Sequence, residues 1–157
     1  MADVSETLAG LKPFFEDHLR RYLANGIDGH IIDTSPYGGS TGTTTLLLKT
    51  IGRRSGRELL TPLIYDRIGD AYAIVASKAG ADENPAWFLN LTARPECNFQ
   101  VAEDRYTGTW RIAEGSERAE IWDHMVNYYP TYGAYQSVTD REIPVVLLTP
   151  RESIARL

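Results

Sequence analysis

Residues 43–78, TTTLLLKTIGRRSGRELLTPLIYDRIGDAYAIVASK, decide the fold. Aliphatic, β-branched and aromatic residues punctuated by Gly and Asp are the signal of three consecutive strands. Thr45 to Leu48 leads in, and Gly52 to Arg57 makes a glycine-bracketed turn. Leu59 to Tyr65 returns, Arg67 to Asp70 turns again, and Ala71 to Ala76 closes the set. The charge of the first turn stands out. Lys49, Arg53, Arg54 and Arg57 fall within nine residues, no acidic residue occurs between Thr34 and Arg57, and yet the chain carries a net charge of −5. A cationic turn in an acidic protein is a candidate anion site. Arg presents a planar fork of donors that matches phosphate or carboxylate, and Gly52 and Gly56 let backbone approach a ligand closely. The competing reading is a solvated hairpin whose positive charges protect a strand edge from aggregation. The turn alone does not separate the two.

Outward from this core, Pro62 sits within the second strand, where it donates no ladder hydrogen bond, so that strand is an edge or carries a bulge. Ser77 and Lys78 end the third strand. Adjacent strand residues point to opposite faces, which disfavours a Ser/Lys nucleophile–base dyad and leaves ligand contact as their reading. Residues 25–44 hold five glycines and read as a long binding loop. Its GGSTGTT run lacks the Gly-Lys-Ser/Thr ending of a phosphate loop.

Upstream, Leu8, Leu11, Phe15, Leu19 and Tyr22 give residues 3–24 one apolar helical face. Asp3 and Glu6 resemble a capping box, and Pro13 predicts a kink or a restart. The face packs on the protein's own body or touches a lipid surface as a peripheral contact. A polar face poor in Lys and Arg favours the former.

Downstream, Asn84 as N-cap and Pro85 in the first turn open a helix over 86–93 that carries Trp87 and Asn90. Cys97 to Val101 and Tyr106 to Ala113 form a hairpin, Ser116 caps a helix to about Tyr129, and Ile143 to Leu148 closes the fold as a strand. Tyr129, Tyr132 and Tyr135 recur every third residue and share a face on helix-like backbone. Such a face suits a planar, redox-active ligand, against the alternative of core packing. About six mostly antiparallel strands with helices packed outside imply a β-barrel.

At 157 residues the chain fits a single domain (1–157), with residues 1–24 as an N-terminal helix and 45–150 as the barrel. The acidic balance disfavours nucleic acid as a partner. One cysteine, no signal-like N-terminus and no apolar run of about 20 residues point to a cytoplasmic protein with no integral membrane segment. His18, His30 and His124 are dispersed and imply no metal site.

The blocks GRRSGRELLTPLIY, ASKAGADENPAWFLNL, YPTYGAYQ and DREIPVVLL, in this order and spacing, resemble the deazaflavin (F420)-dependent nitroreductase family. The resemblance covers Leu46 to Pro150. It implies a split β-barrel related to FMN-binding barrels and hydride transfer from reduced coenzyme F420 to a quinone, enone or nitro acceptor. By matching position it assigns Arg54, with Arg53, Arg57 and Lys78, to the anionic cofactor tail. Pro62, Ala76 and Ser77 fall beside the ring, and Trp87 and Asn90 in the helix that walls the pocket. Tyr129, Tyr132, Tyr135 and again Ser77 face the acceptor. Two departures stand out: Leu59 occupies a position often basic in the family, and Asp82-Glu83 adds negative charge beside the anion path. An FMN-binding split-barrel flavoprotein and a non-catalytic module for an aromatic ligand are the alternatives, and the chain is expected to be a monomer or homodimer.

Overall fold

The structure is a computed structural model that describes residues 3–157. Helix α1 spans Val4–Ala24 and α2 spans Gly26–His30; β1 (Ile31–Ile32) and a short 3-10 turn at Ser35–Tyr37 follow. Then come β2 (Thr43–Ile51), β3 (Glu58–Ile64), β4 (Asp66–Ile68) and β5 (Ala71–Val75), and a short turn at Lys78–Gly80. Helix α3 (Ala86–Thr92), β6 (Glu96–Val101), β7 (Asp104–Ile112), α4 (Gly115–Tyr128), α5 (Thr131–Ser137) and β8 (Val145–Ser153) complete the chain.

All strand pairings are antiparallel, and the sheet runs β1-β2-β6-β7-β8-β5-β4 with β3 added on β2. It curls into a half-barrel with the helices outside, as the sequence implies. The six strands expected are present, and β1 and β4 are two more, both short. Arg67 and Ile68, read as the start of a turn, pair with β5 instead, together with Asp66.

Alternation along β5 and β8 divides the core. Tyr72, Ile74, Val146 and Leu148 point inward, where they join Leu46, Leu48, Phe99 and Trp87. Ala73, Val75, Val145 and Leu147 face the other way and pack under Ile121 and Met125 of α4 and Tyr129 and Tyr132. A period of two thus supplies an interior and a second apolar face that only helices can cover.

Pro62 lies opposite Leu47 on β3, which pairs with β2 alone, so its missing N–H falls on an open edge. Strand β8 runs to Ser153, past Leu148, where the sequence reading ended it. The β7–β8 register slips between Thr107 and Gly108, and this irregularity accommodates Pro150 within a paired strand. Gly108 is required there, because a Cβ would collide with the Thr149 carbonyl.

The N-terminal helix forms as expected, running unbroken through Pro13, but Asp3 makes no side-chain cap. The predicted loop over 25–44 contains α2, capped by the Asn25 side chain on the amides of Ile27 and Asp28. Two helix starts differ from expectation, one by a single residue and the other by two. Pro85 rather than Asn84 holds the N-cap position of α3, and Glu114 rather than Ser116 that of α4, neither with a side-chain capping bond. Asn84 is diverted because its side-chain carbonyl accepts from Arg141 at 2.9 Å.

Candidate active site

A cavity of about 380 Å³ lies on the outer face of the sheet, between α1, β3, the 77–79 turn and α5. This is the size of a small-molecule site. Leu8, Leu11, Phe14 and Leu19 of α1 form one wall, and Leu60 to Ile64 of β3 form another. Tyr129, Tyr132 and Tyr135 close one side, and Ser77, Lys78 and Trp87 line the rest together with Tyr37.

Helix α1 is held over the cavity by two buried side chains one helical turn apart. The Tyr22 hydroxyl donates to the Thr45 carbonyl at 2.9 Å and accepts from the Ala102 amide at 2.9 Å. The His18 Nε2 lies 2.8 Å from the Gly29 carbonyl. Burial holds the His18 imidazole below its ordinary pKa despite that bond, so it is neutral at neutral pH.

The tyrosines come together as their spacing predicts. Tyr129 ends α4, Tyr132 and Tyr135 lie on α5, and the Tyr129 and Tyr132 rings meet edge to face with centroids 4.9 Å apart. Tyr132 is only 4% exposed. Burial pushes all three hydroxyls above the ordinary phenol value, so they are neutral hydrogen-bond donors rather than phenolates. Tyr129 reaches the Tyr37 carbonyl at 3.4 Å and Thr131 reaches the same oxygen at 2.5 Å, which ties the tyrosine helix to the 35–37 turn.

Ser77 and Lys78 both line the cavity although they are adjacent. They do not alternate to opposite faces as strand residues would, because β5 ends at Val75 and the chain leaves strand geometry. Ser77 is helical (φ −78°, ψ −39°), and Lys78, Ala79 and Gly80 are left-handed with φ of 45°, 54° and 83°. Consecutive non-glycine residues in that region are unfavourable and need support from their surroundings. The Lys78 ammonium lies 2.7 Å from Glu83.

The remaining expected residues lie apart from this cavity. Arg53, Arg54 and Arg57 sit on the β2–β3 turn and do not line it. Arg53 is fixed by Asn90, whose Oδ1 accepts from the Arg53 amide at 3.1 Å and from its Nη1 at 2.9 Å. Asn90 therefore faces the turn and lines a second, more polar cavity of about 250 Å³ with Lys49 and Arg94. Ala76 is fully buried and lines neither of these two cavities; its amide donates to the Pro144 carbonyl at 2.9 Å. The turn is nonetheless close, since Arg57 precedes the lining residue Leu60 by three positions, roughly 10 Å of extended chain.

The sequence reading missed the α1 wall and Ile32, Thr34 and Tyr37 as cavity residues. The glycine-rich 25–44 segment reads as a binding loop, and three of its side chains do line the cavity. The apolar stripe on α1 was visible, but a stripe does not name what it covers.

A half-barrel of antiparallel strands carries an apolar cavity with Lys78 at its edge and three phenols along one side, and its similarity to a solved F420-H2 dependent reductase puts it in the class of split-barrel reductases. Within it, the chain belongs to the F420H(2)-dependent quinone reductase family, whose model matches residues 31–150. A Mycobacterium tuberculosis protein named as an F420H(2)-dependent quinone reductase is 38% identical over 130 residues, 81% of this chain and 83% of that protein. The solved structure of an F420-H2 dependent reductase (FDR-A) matches with a TM-score of 0.60 at 37% identity, over 66% of this chain and 92% of the other. A solved domain-swapped dimer matches with a TM-score of 0.63 at 33% identity, over 85% and 95%. Among the described residues no helix is long and apolar enough to cross a membrane, and no group of His, Cys, Asp and Glu side chains could hold a metal ion.

Proposed function

We propose that this chain is an F420H2-dependent oxidoreductase that delivers a hydride and a proton to an apolar quinone, with enones and nitro compounds as related acceptors. The observation that carries the reading is one cavity walled by aliphatic and aromatic side chains, with Lys78 and Ser77 at one edge and three neutral phenols at another. When bound, reduced F420 supplies the hydride. The chain's own residues supply position, exclusion of water and hydrogen bonds.

The fit of the cofactor divides between two regions. Pro62, Ser77 and Trp87 offer the apolar surface and hydroxyl that a flat ring requires. Lys78, with Arg53, Arg54 and Arg57 along the neighbouring turn, offers the positive charge that a multiply anionic tail requires. Ala76 and Asn90 act indirectly: one is buried backbone beneath the ring-side turn, and the other fixes Arg53. Tyr132, with Tyr129 and Tyr135, donates a hydrogen bond to the acceptor oxygen as negative charge develops there.

Homodimers are the proposed assembly, in line with the related domain-swapped structure. A cytoplasmic location is proposed from Cys97, a free, buried thiol whose pKa burial pushes up to about 12, an inert group that asks for no oxidising compartment.

Parallel fluorescence titrations with F420 and FMN test the cofactor. Saturable F420 binding at least ~10-fold tighter than FMN, about 1.4 kcal/mol, is expected. The reverse order makes the protein an FMN flavoprotein.

A further inference from the structure

We infer that Arg141, which touches neither cavity, is the positioning residue that holds Ser77 and Lys78 in their cavity-lining conformation. The inference rests on the proposed use of that cavity.

Four hydrogen bonds run from one guanidinium to one short segment. Arg141 Nε donates to the Ala81 carbonyl at 2.6 Å, and Nη2 donates to the Ser77 carbonyl at 2.8 Å. Nη1 donates to the Ala76 carbonyl at 3.2 Å and to Asn84 Oδ1 at 2.9 Å. These acceptors bracket Lys78, Ala79 and Gly80, the three consecutive left-handed residues. A conformation that sterics disfavour persists only when its surroundings over-determine it, and Arg141 contacts the chain on both sides of the run.

Arg141 is itself held. Its carbonyl accepts from Gln136 on α5 at 2.7 Å, and its amide donates to Thr139 Oγ1 at 3.3 Å. Thr139 in turn donates to Asp82 at 2.8 Å. The same arginine therefore joins the lysine-bearing turn to the helix that carries Tyr132 and Tyr135. No slack exists at this joint: a Cβ on Gly80 would meet the Tyr135 carbonyl at 2.6 Å. Lysine cannot replace this fork, because its three donors radiate from one atom and do not reach acceptors spread across residues 76–84. Burial lowers the Arg141 pKa, and the charges of Asp82 and Glu83 partly offset this.

The test compares Arg141→Gln and Arg141→Lys with wild type. Arg141→Gln is expected to raise the KM for F420H2 about tenfold and to lower kcat, measured on protein whose folded fraction is known. Arg141→Lys is expected to remain impaired. Added ethylguanidine is expected to restore turnover to Arg141→Gln, a response that a residue needed only for folding does not give. Kinetic constants within twofold of wild type in Arg141→Gln overturn the inference. A second readout is independent of the cofactor. Amide exchange at Gly80 and Ala81, whose N–H groups bond to the Ser77 and Lys78 carbonyls at 2.9 and 3.0 Å, should accelerate in Arg141→Gln while β8 stays protected. Unchanged exchange there overturns the inference about Arg141. A wild-type protein without F420H2-dependent turnover overturns the functional reading alone.

Discussion

Lys78 Nζ lies 2.7 Å from Glu83 at the edge of the cavity that the tyrosines close. The lysine side chain is 29% exposed and its partner 75% exposed, so water screens the pair and it contributes little stability. The Lys78 hydrogen bond and charge hold the Glu83 carboxyl below its usual pKa, which keeps it ionised beside the proposed anion path.

Glu83→Gln therefore releases Lys78 for an anionic ligand. It should tighten F420 binding by about two- to fivefold, the scale of one exposed ion pair. Fluorescence titration checks this, and weaker binding in the variant would mean that Glu83 orients Lys78 rather than competing for it.

Tyr132→Phe removes one hydroxyl and keeps the ring packed against Tyr129 at 4.9 Å. Among the described residues that hydroxyl makes no hydrogen bond to protein, and the residue lines the cavity, so the fold should lose little. Turnover should fall about 100- to 1000-fold, as when one donor to a developing oxyanion is removed, with F420 affinity unchanged. Steady-state kinetics alongside titration check this; equal losses in both make Tyr132 a packing residue.

Tyr22→Phe tests how the cavity wall is anchored. It strips the partner from the Ala102 amide and from the Thr45 carbonyl, and an unsatisfied buried group costs about 1–3 kcal/mol. Urea unfolding should show a loss of that size, and a stability within 0.5 kcal/mol of wild type, roughly the scatter of surface changes, would mean that α1 does not depend on this hydroxyl.

Burial lowers the pKa of both His18 and His30 below the ordinary value of 6.5. As pH falls through that value the unfolded chain takes up protons first, so stability present above about 6.5 is lost towards the lower folded pKa values. Calorimetry from about pH 8 to 5.5 should show Tm falling from near 6.5, with a shallower slope in His18→Gln. A Tm that is flat across this window contradicts neutral burial of the two rings.

The strands were legible because alternation in Ala71 to Val75 or Asn98 to Val101 reports burial directly, and glycines mark the turns between them. The tyrosine cluster was legible because its three-residue spacing survives on helical backbone. Strand β4 was hidden by its composition: Arg67 to Asp70 reads as a charged turn, and only the β5 partner makes Asp66 to Ile68 a strand. Helix α2 was hidden because two of its five residues are glycine, the poorest interior helix former apart from proline. The cavity wall from α1 and the Arg141 fork are long-range relations that no local pattern encodes. Arg141 lies 57 or more residues from each acceptor on the 76–84 segment, and its sequence neighbours Asp140 and Glu142 suggest only a charged surface loop.

The central claim is that this cavity brings reduced F420 and an acceptor together. The most direct measurement is a single-turnover reaction of protein with F420H2 and a soluble quinone, followed by the recovery of oxidised deazaflavin absorbance. Protein-dependent oxidation, slowed by deuterium at C5 and reduced in Lys78→Glu, is the predicted result. Oxidation no faster than in protein-free controls, from protein shown to be folded, contradicts it.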